Sequence, residues 1–131
     1  MDKEELIEQA LNKVNQIFGF DFVVVRMDSP NKFWLGPKKK HFPRATEEFL
    51  TTPDDKLYYS PKYYKDIDAG IKQEFTQEQK ALLRLARRIY DNATYYLMPL
   101  YRRETGDKID YNDNGFKKAI DWYHQIIKDD E

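Results

Sequence analysis

The segment Asp110–Asp121, DYNDNGFKKAID, sets oxygen-bearing side chains at the spacing of a calcium loop. Asp110, Asn112 and Asn114 hold the first, third and fifth places, Gly115 the sixth and Asp121 the twelfth. Such a pattern lets a loop wrap a hard cation in carboxylate and carbonyl oxygens. Two features weigh against it. Asp121 is one methylene shorter than the Glu that reaches the ion with both oxygens, and Lys117 fills the eighth place, where such loops put an apolar residue. No second loop accompanies it. The competing and preferred reading is a capped helix start, with Asp113 and Asn114 ahead of an apolar-periodic run and Gly115 easing the turn. Asp110, Asn112, Asn114 and Asp121 are therefore a secondary metal-ligand set, and no cofactor is expected.

Other chemistry has little raw material. His41 and His124 are the only histidines, and no cysteine is present. Ser29 and Ser60 each precede a proline in a turn or cap setting, which suits neither to a nucleophilic triad. The five glycines are scattered, with no phosphate-cradling loop. Asp121 and His124 have a spacing used by carboxylate/His metal sites in helical bundles, but Asp121 points away from the apolar stripe of its helix. Of the carboxylate pairs, Asp54/Asp55 is explained by a helix start. Glu47/Glu48 and Asp66/Asp68 look like solvated positions. Asn92-Ala93-Thr94 matches a glycosylation sequon but falls inside a helix. The expectation is a non-enzymatic protein.

Binding surfaces are better represented. The formal net charge is −1, but it is segmented. Residues 26–44 carry six bases against Asp28, and residues 80–103 carry six bases against Asp91. The first block contains the loop Lys38, Lys39, Lys40, His41, Phe42, Pro43, Arg44, which reads as a solvated connector or a phosphate contact. The second is helical. Its Arg84, Arg88, Asp91, Tyr95, Met98 and Arg102 share the face opposite a leucine stripe, with Arg87 beside them. Unbroken, that face would run about 27 Å. Arg forks onto carboxylates and phosphates and stacks on planar groups. It is also a good helix former, so a solvated face explains the same pattern. Tyr58, Tyr59, Tyr63 and Tyr64 form an aromatic cluster suited to a satellite core or an interface.

The elements that must position these residues follow from periodicity. Leu6, Ile7, Ala10, Leu11, Val14, Ile17 and Phe18 share one face of a helix over 2–18, with Asp2 and Glu5 at its start and Gly19 at its end. Phe20–Met27 and Lys32–Leu35 predict a small β-hairpin about Pro30. A hairpin needs a helix against it, and the first helix is the obvious one. Thr52-Pro53 and Ser60-Pro61 open short middle helices, the second ending at Ala69-Gly70. Thr76–Gln79 is a capping box for a long helix over 77–104. Leu82, Leu85, Ala86, Ile89, Ala93, Leu97 and Leu100 form its stripe, and Pro99 predicts a kink or break. A last helix over 115–128 stacks Phe116, Ala119, Ile120, Tyr123 and Ile127.

The fold class expected is thus α+β and α-rich, in one compact domain over 1–131. With 131 residues and 34% charged, yet eight Phe, ten Tyr and two Trp, the chain has bulky core material and no span-length apolar run. The polar start MDKEELIEQ has no signal-peptide pattern, so a cytoplasmic protein with no membrane partner is expected. The function expected is contact with a protein partner. Arg84, Arg87, Arg88, Tyr95, Met98 and Arg102 would work together with Tyr58, Tyr59, Tyr63 and Tyr64, as in a small inhibitor or adaptor of the kind phages or mobile elements encode. The alternative is nucleic-acid binding through Lys38, Lys39, Lys40, Arg44 and the arginine face. Calcium binding or a small metal-dependent enzyme is a weaker third.

Overall fold

The computed structural model describes residues 2–38, 40–42, 49–51 and 76–130. Helix α1 spans Lys3–Phe18. The Asp2 carboxylate accepts from the Glu5 amide at 2.8 Å, satisfying one of the orphan donors of the first turn. Gly19 closes the helix in the left-handed conformation, at φ 68°, where a Cβ would be strained. Ile7, Ala10, Leu11 and Val14 form its buried face.

The chain then enters strand β1 (Val23–Ser29), which pairs antiparallel with β2 (Lys32–Gly36) through the turn at Pro30 and Asn31. Phe20 and Phe22, expected inside the strand, precede it and are buried in the core. The sheet is larger than the expected hairpin. A third strand, β3 (Phe49–Thr51), pairs antiparallel with β2, Leu35 opposite Phe49 and Phe33 opposite Thr51. This makes β2 central in the order β1-β2-β3. Phe33 and Leu35 point inward and are fully buried. Trp34 alternates to the other face, where the Arg26 guanidinium lies 4.4 Å and the Lys32 ammonium 5.4 Å from its ring centroid.

Helix α2 (Gln77–Thr105) starts with the expected capping box. The Gln79 amide donates to Thr76 Oγ1 at 3.2 Å, and the Thr76 amide to Gln79 Oε1 at 2.9 Å. The helix continues past Pro99 and ends at Gly106, φ 73°, whose amide donates to the Arg102 carbonyl. It is the central element. The helix packs on α1, on β3 and on helix α3 (Asp113–Asp129), and its middle turns are buried on more than one side. Helix α1, expected against the hairpin, packs chiefly on α2 and shares the core with Phe33 and Leu35 of the sheet. Helix α1 lies along α2, which reaches the sheet through Tyr96 against Phe49 (ring centroids 5.2 Å apart), while α1 and β1 are separated by an open groove.

In α3, Phe116, Ala119, Ile120 and Tyr123 face the core as the periodicity predicts. Asn112 is its cap, accepting from the Gly115 amide at 2.9 Å. The α2–α3 connection is fastened by Asp107, which accepts from the Tyr101 hydroxyl at 2.6 Å and pairs with Lys118 at 2.9 Å. The Tyr101 hydroxyl and the Lys118 ammonium hold the Asp107 carboxyl below its ordinary range. The described residues thus form an α-rich α+β fold. The helix starts expected at Thr52-Pro53 and Ser60-Pro61, and the stop at Ala69-Gly70, lie outside them. Among the described residues no helix is long and apolar enough to cross a membrane.

Candidate partner-binding surface

The arginine face expected on the long helix is not one continuous outer surface. Arg84 and Arg102 are exposed and Arg87 is half-buried, but Arg88, Asp91 and Met98 are buried. The reason is the central position of α2, since a helix packed on several sides buries part of the face opposite its main stripe. At Met98 the covering element is α3, whose Gly115 lies against the Met98 side chain.

Burial has an electrostatic effect at Asp91. Its carboxylate is fully buried, among the described residues no hydrogen bond reaches either oxygen, and desolvation pushes its pKa up to about 8.

The part of the face that remains outward centres on Tyr95. It is 37% exposed, and Tyr111, on the segment leading into α3, is 47% exposed. The two rings stack with centroids 6.0 Å apart, and both make T-shaped contacts with Phe116, which is buried. A core aromatic therefore props two surface tyrosines in a fixed orientation. Exposed Arg102 follows Tyr95 by two helical turns on the same side, about 10 Å along the axis. The sequence pointed to Tyr95 and Arg102. It missed Tyr111, which lies among the residues of the calcium-like segment and reaches Tyr95 only through the α2–α3 turn.

That segment is the start of α3. Asn112 spends its side-chain oxygen on the cap, and every residue from Asp113 onward is helical. Asp121 is exposed, two turns along the helix and about 12 Å from Asp113. Asp121 is thereby set apart from Asp110, Asn112 and Asn114, and among the described residues no three His, Cys, Asp or Glu side chains are grouped to hold a metal ion.

Lys38 and Lys40 of the basic loop are exposed, whereas Lys39 and Arg44 lie outside the described residues, as do Tyr58, Tyr59, Tyr63 and Tyr64. The neighbouring His41 has a role the sequence did not reveal. One ring nitrogen meets the Asp130 carboxylate and the other that of Asp21, which also accepts from the Tyr123 hydroxyl. Burial, then the bond to Asp21, raises the Tyr123 pKa. The His41 side chain is buried. His124 is committed to the Phe18 carbonyl at 2.6 Å. Both imidazoles join elements together.

No protein family, no curated protein and no solved structure matches this chain.

Proposed function

We propose that this protein acts by contact, as a small inhibitor or adaptor that holds a protein partner on the surface formed by Tyr95, Tyr111 and Arg102. The observation behind this reading is the exposed Tyr95–Tyr111 stack, braced from below by Phe116. Tyrosine offers large rigid contact area with a polar tip, and a ring already held in place loses little freedom on binding. Arg is among the residues that dominate binding energy at interfaces. Exposed Asp110 flanks the stack, which disfavours an approaching phosphate backbone and favours a protein partner over nucleic acid.

The test is a photo-crosslinking amino acid at position 111, used in a nuclease-treated lysate of the source cells. One dominant protein adduct is expected, and it should be lost on Arg102→Glu. Adducts to nucleic acid, or a pattern unchanged by Arg102→Glu, would refute the assignment.

A further inference from the structure

We infer that the groove between α1 and the edge of β1 is a second binding site, built for a short extended peptide that alternates basic and apolar residues. It shares no residue with the tyrosine surface. The groove measures about 420 Å³; Ile7, Leu11 and Phe22 are its buried lining, and Val23, Val24 and Met27 come from the strand. Val23 and Val24 are each 37% exposed, an unusual position for two adjacent β-branched residues.

Three observations converge on the occupant. First, β1 is an edge of the sheet, and among the described residues nothing pairs with its outer side. An edge presents unpaired amides and carbonyls that an added strand satisfies. Second, the lining is apolar where it is deep, so a side chain pointing inward must be apolar. Third, Glu4 and Glu8 stand at the rim on successive turns of α1, both exposed and, among the described residues, in no ion pair. Their spacing along the helix is about 6 Å. Alternate residues of an extended strand are separated by roughly 6.6 Å. A segment with Lys or Arg at two alternate positions therefore matches both carboxylates, while the residue between them turns inward onto Ile7, Leu11 and Phe22. The register shift after Val24 interrupts the edge, which limits the occupant to a few residues.

The probe is a capped heptapeptide alternating lysine and valine, titrated into the ¹⁵N-labelled full chain and followed by amide chemical shifts. Saturable shifts confined to residues 4–12 and 22–29 are expected. The double variant Glu4→Lys/Glu8→Lys, both at exposed positions where the fold is checked by circular dichroism, should bind about tenfold more weakly. It should instead accept the same peptide with glutamate in place of lysine. A peptide with proline at its centre, which cannot donate to a strand, should lose binding to both proteins. Absence of saturation by 1 mM peptide, shifts centred elsewhere, or affinity indifferent to the charge reversal would each overturn the proposal.

Discussion

The side-chain amide of Asn15 holds both backbone groups of Phe22, donating to its carbonyl at 3.0 Å and accepting from its amide at 3.1 Å. One residue thus imitates a strand partner and fixes how the chain leaves α1 and enters the sheet. Asn15→Ala removes both bonds from a partly buried site and should cost about 1–3 kcal/mol. Asn15→Asp keeps the acceptor but sets a carboxylate oxygen against the Phe22 carbonyl, so it should also destabilise. Urea midpoints for the three proteins check this; a midpoint unchanged in Asn15→Ala would mean that the bonds are not formed in solution.

Asp91 gives the stability a pH dependence of known sign. Below about pH 4 its carboxyl is protonated folded and unfolded alike. Between there and its folded value of about 8, the unfolded chain releases the proton and the folded chain keeps it. Stability should therefore fall with rising pH across this window, by at most about 1.4 kcal/mol per pH unit from this group, and level off above it. Asp91→Asn should flatten that slope and be more stable than wild type at pH 9. Equal slopes in the two proteins, measured by urea unfolding from pH 5 to 9, would exclude Asp91 as the source.

Gly115 lies in the first turn of α3, where Gly→Ala ordinarily gains up to about 1 kcal/mol. Here a Cβ would stand 1.9 Å from the Asp110 carbonyl oxygen, so the backbone there must shift. Gly115→Ala should therefore destabilise by about 1–3 kcal/mol, read from thermal unfolding. The same geometry predicts a flat calcium titration of Trp122 fluorescence, because the glycine serves close backbone approach and helix start, not a cation loop.

Tyr111→Ala should separate binding from folding. The ring is nearly half exposed and packs on the rings of Tyr95 and Phe116, so its loss should shift stability by no more than about 1 kcal/mol. Partner affinity should drop by at least about tenfold if the ring is a hot spot. Competition binding against the crosslinked partner measures the second quantity and chemical denaturation the first. A proportionate loss of both would make Tyr111 a structural residue.

Much of the scaffold was readable because its signals are local. The Asp2 and Thr76 caps, the Gly19 and Gly106 stops and the stripe of α3 all depend on residues within a turn or two of one another. What was not readable depends on distant neighbours. Three residues, Phe49–Thr51, are too few to show a strand period, and their assignment rests on β2. The wheel of α2 correctly opposes Leu97 to Arg88, yet it carries no information on how many elements surround the helix, so it sets on an outer surface Arg88, Asp91 and Met98, which the fold buries. The His41 clamp joins residues separated by 20 and 89 positions, and a lone histidine beside three lysines gives no hint of it. Tyr95 and Tyr111 became a pair only through the turn between α2 and α3.

The central position of α2 also bears on the order of assembly. Its contacts with α3 and those within the hairpin span short stretches of chain and need little loop closure. Its contacts with α1 bridge some 70 residues of sequence and are the slow ones to bring together. Because Ile89, Tyr90 and Ala93 are fully buried in α2, with Tyr90 stacked on Phe18 of α1, this helix is the natural nucleus on which the terminal segment condenses. Trimming Ile89 to Val should accordingly slow refolding in proportion to the stability it removes, whereas trimming Met27 at the sheet margin should mainly speed unfolding. A chevron in which Ile89→Val altered only the unfolding limb would assign the nucleus elsewhere.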